Sequence, residues 1–342
     1  MPVRADGRVR SEEMTKAWIV RELGTPDTLR FETVDASAPP DGLVRIRVRA
    51  AAVNFFDLLQ IGGTYQVKPD LPFVPGAEVA GEVEAAPPES GFHPGDRVLA
   101  AVPQEGLHRG GYTEVTHADP DAVVKIPDAM SFEEGAAFFI NYQTGWFGLH
   151  RRAHLQPGEV VLVHGGAGGV GTAAIQLAKA AGARVIATAG SEAKLEVCRE
   201  MGADLAVNYN EEDFVAAVKQ ATGGRGADVI YDPVGGDVFD RSTKCVAFEG
   251  RIVVVGFTSG RVPTVATNYV LVKNYAVVGL HWGLYRQRAP QLIPECTEAL
   301  LELYAEGKIR PYVGKRAPLA DAVSLLEAVA SRQTVGKAIL TL

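Results

Sequence analysis

The chain has 342 residues, 47% of them hydrophobic, and a formal net charge of −7. That length favours two domains at roughly 100–200 residues each, and an acidic balance with no basic face excludes a nucleic-acid binder. No run approaches the ~18 apolar residues of a membrane helix, and the three dispersed cysteines, Cys198, Cys245 and Cys296, exclude a disulfide framework or a thiolate-built zinc site and point to the cytoplasm.

Residues 1–13 are polar and lack the apolar core of a signal peptide, so they read as a disordered extension. A first strand is expected at Lys16–Val20. The next hundred residues alternate apolar and polar positions between turns: Leu43–Val48, Val79–Ala85, Arg97–Ala101, Tyr112–Thr116 and Ala122–Ile126. Turns stand at Pro39-Pro40-Asp41-Gly42, Pro87-Pro88 and Pro94-Gly95-Asp96. This spacing predicts a barrel-like or sandwich-like β domain. Arg45, Arg47 and Arg49 alternate with Val44, Ile46 and Val48, so they read as the wet face of a half-buried strand. A helix follows at Ser131–His150, with Ser131 as cap and Glu133 and Glu134 in the first turn.

The character changes at Gly158. Glu159–Val163 is a nearly continuous apolar run, the mark of a strand buried on both faces. Strands at Arg184–Thr188, Leu205–Val207, Asp228–Tyr231 and Arg251–Val255 then alternate with helices at Thr172–Ala181, Ser191–Met201, Glu211–Thr222 and Asp237–Phe248. Such alternation predicts right-handed βαβ units and a doubly wound parallel sheet, closed by Tyr275–Gly279. The tail carries helices at Leu292–Glu306 and near Asp321–Ser331 and a last strand at Lys337–Leu342. It reads as a return to the first domain. The domains are therefore expected at 14–140 with 280–342, and at 141–279.

Between the buried strand and the next helix lies His164-Gly165-Gly166-Ala167-Gly168-Gly169-Val170-Gly171. Gly166, Gly168 and Gly171 satisfy G-x-G-x-x-G in the context that motif requires. Glycines let the backbone turn sharply and approach a pyrophosphate at a helix N-terminus. The second strand ends Ala187-Thr188-Ala189-Gly190-Ser191. An NAD site usually carries a carboxylate there for the ribose 2′-hydroxyl. Ser191 and Lys194 instead offer a hydroxyl and an ammonium, which suit the 2′-phosphate of NADPH.

Asn54-Phe55-Phe56-Asp57, Pro75-Gly76-Ala77-Glu78-Val79-Ala80-Gly81, His93-Pro94-Gly95-Asp96-Arg97-Val98 and the glycine loop, in this order, resemble the medium-chain dehydrogenase/reductase superfamily. Within it the chain is most similar to the zinc-independent NADPH:quinone oxidoreductases. The likeness covers residues 14–342. It implies an α/β chain with a GroES-like catalytic domain, a Rossmann domain, a cleft between them and commonly a homodimer. Zinc-dependent members place Cys where Asn54 stands and Gly-His-Glu where Gly76-Ala77-Glu78 stands, and the cysteine-rich lobe of their structural zinc is missing, so no metal is expected. Without that Lewis acid, alcohol oxidation is disfavoured. Hydride delivery to a quinone or another conjugated carbonyl is expected instead. His150 and His154 are four apart but sit among arginines, a poor metal pair.

The same resemblance assigns Lys194 and Tyr209 to the 2′-phosphate, Thr144 to the nicotinamide, and Val234, Phe257 and Ser259 to loops around the cofactor. Asn54 and Tyr65 are the polar candidates beside the substrate, Tyr65 as a proton donor. Phe55, Phe56, Leu59, Phe73 and Trp282 are candidates for a dry pocket. Where some quinone oxidoreductases carry a second tyrosine, this chain has Leu59. Two other functions stay open: reduction of an enone or 2-enoyl thioester, and an NADPH-binding structural or regulatory role.

Overall fold

The computed structural model describes residues 14–36 and 42–342. The expected extension at 1–13 and most of the turn at 39–42 lie outside them. The chain forms two units. One takes the chain up to Phe139 together with Val313–Leu342, and the other takes Ile140–Tyr312.

In the first unit the ten-residue strand Val44–Val53 is the axis of a seven-stranded sheet. One of its edges pairs antiparallel with Glu78–Ala85. Its other edge is shared: Val44–Arg47 pairs with Val115–Ala118, and Ala50–Val53 pairs with Lys337–Thr341. The alternating apolar positions Val44, Ile46 and Val48, and Ala51 beyond the irregularity at Val48/Ala50, enter one core with Val79, Val98, Leu325 and Leu340. The arginines of this strand behave differently from one another. Arg47 and Arg49 are exposed and pair with Glu84 and Glu82. Arg45, expected on the wet face, is buried because Glu84 and the Ala36 carbonyl satisfy its guanidinium. A short helix the sequence did not announce, Phe55–Ile61, follows the strand directly.

The second unit holds six parallel strands. Across the sheet they run Leu205–Asn208, Arg184–Ala189, Val160–Val163, Ala227–Asp232, Val246–Val254 and Ala276–Gly279. The first strand in sequence lies inside, with its two successors on one side and the later three on the other. That reversal is the switch point at which α/β sheets bind ligands. Val160, Leu162, Ile186 and Ile230 are buried between the helical layers, as a doubly covered sheet demands. The helix begun at Phe132 continues past Trp146 as a π-helical turn over Phe147–Arg152. The expected helix at 237–248 is only Gly236–Ser242, and the strand after it starts early, at Val246. Residues 280–312, which the sequence reading groups with the first domain, lie with the second unit. Their helix Leu292–Ala305 buries Ile293, Cys296 and Leu300, and Thr297 accepts a 2.9 Å hydrogen bond from Gln143. Among the described residues no helix is long and apolar enough to cross a membrane.

Candidate functional site

Strand Val160–Val163 ends at the glycine loop, and Gly168 stands as the N-cap of helix Gly169–Ala180. Each motif glycine has its own reason. A methyl group at Gly166 would lie 2.9 Å from the Ala187 and Cys198 side chains. At Gly171 it would lie 2.2 Å from the Gly165 carbonyl oxygen. At Gly168 the nearest atom would be 3.4 Å away, so this backbone presents an open face at the helix N-terminus. Two glycines are thus consumed by packing, and the third leaves room for a ligand to approach the amides of Gly169, Val170 and Gly171. Ala167 is buried beside them, and Gly165 takes a left-handed φ of 60°. The loop fits a pyrophosphate.

His164, just before the loop, is buried and neutral. Burial pushes its pKa down to about 3. Ser242 donates to the Val238 carbonyl and so accepts from Nε2 of His164 at 2.8 Å; Thr188 therefore donates to Nδ1 at 3.0 Å. The imidazole ties three elements together beneath the loop. Sequence reading passed over it, because a histidine beside glycines gives no sign of partners 24 and 78 residues away.

The strand Arg184–Ala189 ends without a carboxylate. Ser191 takes the N-cap position of helix Glu192–Glu200, and its side chain makes no cap hydrogen bond. Lys194 lies in the first turn of that helix. Tyr209 follows the neighbouring strand, and a methyl group on Gly190 would come within 2.6 Å of its hydroxyl. The tyrosine therefore lies directly against the Gly190 backbone, beside the Ser191 turn, with its residue 46% exposed. The structure brings Ser191, Lys194 and Tyr209 to one end of the sheet.

Val234, Phe257 and Ser259 also converge. Asp232 accepts from the Val234 and Gly235 amides at 2.8 and 2.9 Å, and the Ser259 amide donates to the Val234 carbonyl at 3.0 Å. Phe257 packs so closely on Gly235 that a methyl group there would sit 2.8 Å from its ring. Thr144 lies near the end of helix Phe132–Trp146 and is buried. Beside it Gln143, unremarked in the sequence, donates to Thr297 and accepts from the Trp282 indole. His150 and His154 do not share a helix face. His150 packs on Trp146, and His154 lies beyond the π turn with φ at 49°. Among the described residues no group of three or more His, Cys, Asp or Glu side chains is arranged to hold a metal ion.

In the first unit Asn54 ends the central strand and starts helix Phe55–Ile61. It is buried in a polar cluster. Its Nδ2 donates to Glu78 Oε1 at 3.2 Å, and its Oδ1 accepts from the Lys337 ammonium at 2.5 Å. Lys337 also pairs with Glu78 at 2.5 Å. Below them Asp57 accepts from the Asn54 backbone N–H and the Tyr112 hydroxyl, each at 2.8 Å. Tyr65 stands after the helix, its ring stacked on Phe56 with centroids 5.5 Å apart. Burial, and then the nearby Asp57 carboxylate, raise the Tyr65 phenol above its ordinary value. It holds its proton through the neutral range, the state a donor needs. Phe73, a candidate pocket residue, is instead fully buried in the core of this unit.

Asp57 is fully buried, and burial raises its pKa to about 7 against the opposing pull of Asn54, Tyr112 and Lys337. Between the ordinary carboxylate pKa near 4 and about 7, the folded chain keeps a proton that the unfolded chain releases. Its contribution to stability is therefore complete below about pH 4 and lost as pH rises through 7. Asp57→Asn can still accept from Asn54 and Tyr112 through one oxygen. We expect wild-type melting temperature to fall relative to this variant by roughly 2–6 °C between pH 5 and pH 8. Parallel melting curves for the two proteins across that range would contradict the assignment.

Comparison with known proteins places this geometry. Residues 40–128 match the alcohol dehydrogenase GroES-like domain, and residues 169–298 match the family described as zinc-binding dehydrogenase. The chain is 38% identical over 330 residues to quinone oxidoreductase-like protein 2 homolog of Nematostella vectensis, covering 95% of this chain and 88% of that protein. Escherichia coli quinone oxidoreductase, solved in complex with NADPH, superposes with a TM-score of 0.87 at 32% identity, over 96% of this chain and all of that one. The CurK enoyl reductase superposes with a TM-score of 0.84 at 26% identity, over 96% and 99% of the two chains. The chain belongs to the quinone oxidoreductase family of the medium-chain dehydrogenase/reductase superfamily.

Proposed function

We propose that the protein is a zinc-independent, NADPH-dependent oxidoreductase that reduces a quinone or a similar conjugated carbonyl acceptor. The observation that carries this reading is the pairing of an open glycine loop with a second strand that ends in Ala189-Gly190-Ser191 and is flanked by Lys194 and Tyr209. The amides of Gly169, Val170 and Gly171 would hold the pyrophosphate. Ser191, Lys194 and Tyr209 would hold the 2′-phosphate, where a carboxylate would repel it. Thr144, Val234, Phe257 and Ser259 would line the nicotinamide half. The solved relative bound to NADPH supports the same cofactor.

Bound NADPH supplies the hydride. The chain's own residues orient the acceptor, exclude water and manage one proton. Asn54 donates a hydrogen bond to the acceptor oxygen on which charge develops. Tyr65, or water held beside it, donates the proton that completes the two-electron reduction. Asn54, Ala77 and Glu78 do not form a zinc site in this reading, since the Lys337 ammonium already occupies the neighbourhood of Asn54 and Glu78.

The test is NADPH consumption by chelator-treated protein against 1,4-benzoquinone, 9,10-phenanthrenequinone, an alkenal and crotonyl-CoA, with NADH in parallel. Quinone turnover with NADPH preferred is the expected result. Lys194→Ala should reduce the preference for NADPH over NADH by about tenfold, the loss of one charge-assisted contact. A second reading, double-bond reduction, draws on the likeness to an enoyl reductase. Faster turnover of the alkenal or thioester than of either quinone would establish it in place of the first. Tight NADPH binding without oxidation by any acceptor would leave a structural or regulatory role.

A further inference from the structure

Asparagine is an ambiguous catalytic group. Its amide carries two donor hydrogens and an acceptor oxygen, and a half-turn about the last bond exchanges them. What an acceptor molecule meets at Asn54 depends on which way the amide is held.

Two flanking strands settle this. Ala338 pairs with Val53 across one edge of the central strand, which brings Lys337 level with Asn54. Val79 pairs with Ala51 across the other edge, which brings Glu78 to the same end. The two side chains reach Asn54 from opposite sides and also meet each other at 2.5 Å. An ammonium can only donate and a carboxylate can only accept. Oδ1 must therefore face Lys337, and one Nδ2 hydrogen must face Glu78. The reversed amide would set donor against donor and acceptor against acceptor. All three groups are buried, at 7% exposure for Asn54, 4% for Lys337 and 1% for Glu78, so water does not soften that penalty. The second Nδ2 hydrogen is the group that remains to be offered.

We propose that Lys337 is a positioning residue. Together with Glu78 it locks the Asn54 amide with its oxygen turned away and a single N–H presented to the acceptor oxygen. The inference rests on the proposed oxidoreductase reading for what that N–H meets, and on the sheet register with the Lys337 and Glu78 side-chain contacts for the lock. It makes the site a donor only, suited to a developing oxyanion. No proton leaves Asn54 in the step; the hydrogen bond shortens as charge grows on the acceptor.

Three variants test it: Lys337→Met, Lys337→Arg and the double variant Lys337→Met/Glu78→Gln. Lys337→Met leaves a buried carboxylate without its cation, so lost activity alone would not separate positioning from stability. The double variant removes both charges and should recover the wild-type melting temperature. A Gln at 78 can donate or accept, so it no longer dictates the amide's direction. We expect kcat with a quinone to stay about 10- to 100-fold down in the double variant, while the Kd for NADPH changes less than about threefold. Lys337→Arg, whose guanidinium also only donates, should recover most of kcat. The side-chain amide signal of Asn54 in a ¹⁵N-labelled protein, identified by its loss in Asn54→Ala, should shift in the double variant. Recovery of kcat along with melting temperature, or an unshifted amide signal, would overturn the proposal. If the wild-type protein reduces no acceptor, the oxidoreductase reading fails, and the amide signal still decides whether the lock exists.

Discussion

Gly171→Ala is expected to abolish measurable NADPH binding and to lower the melting temperature. The new methyl group would stand 2.2 Å from the Gly165 carbonyl oxygen and 2.8 Å from the Gly166 Cα. Neither is the flexible end of a side chain. Gly165 already accepts a hydrogen bond from the Gly168 amide at 2.9 Å, and Thr172 donates to the Gly168 carbonyl at 2.8 Å. Relief therefore requires the first turn of helix Gly169–Ala180 to lift away from the strand. Overpacking of this kind costs about 1–3 kcal/mol of stability, and it scatters the amides proposed to hold the phosphates. Gly168→Ala is the matched control. Its methyl group meets nothing closer than 3.4 Å, so the protein should fold with an unchanged melting temperature. If Gly168→Ala still loses NADPH affinity in a fluorescence titration, a ligand occupies that open face. Undiminished affinity in both variants would remove the glycine loop from the site.

Asn54→Ala should reduce kcat with the best acceptor by roughly 100-fold, the scale of losing one preorganised donor to a developing oxyanion. The fold should survive, because Lys337 and Glu78 keep each other at 2.5 Å when the amide is gone. Binding of NADPH should be unaltered, since its proposed contacts come from other residues. Tyr65→Phe separates the two roles in the site. It keeps the ring that stacks on Phe56 and removes only the hydroxyl. If the phenol supplies the proton, kcat falls at least tenfold and the alkaline limb of its pH profile moves. If water supplies it, kcat stays near wild type while Asn54→Ala remains impaired. Equal wild-type rates for both variants would place the chemistry elsewhere in the chain.

Much of the second unit was legible because its signals are local. A strand buried on both faces is an unbroken apolar run, and a phosphate loop is a glycine spacing between that run and a helix. The missing carboxylate after Ala189 is equally local. Helix Phe55–Ile61 was not legible. Seven residues are too few to show helical periodicity, and Phe55-Phe56 followed by Leu58-Leu59 reads equally well as strand or core. Arg45 misled because period-two alternation cannot report that a glutamate on the next strand waits to pair with it.

By itself the sequence determined the order of most strands, the parallel sheet, the glycine loop, and the side chains available at Asn54, Tyr65, Lys194 and Tyr209. Those features depend on backbone conformation and hydrophobic period over a few residues. Tertiary structure alone decided that the first unit resumes at Val313, that His164 bridges Thr188 and Ser242, and that Lys337 meets Asn54 across 283 residues of chain. These are pairings of polar groups made by sheet register and burial. A buried donor must find an acceptor, but which one it finds is set by the strands that fold beside it.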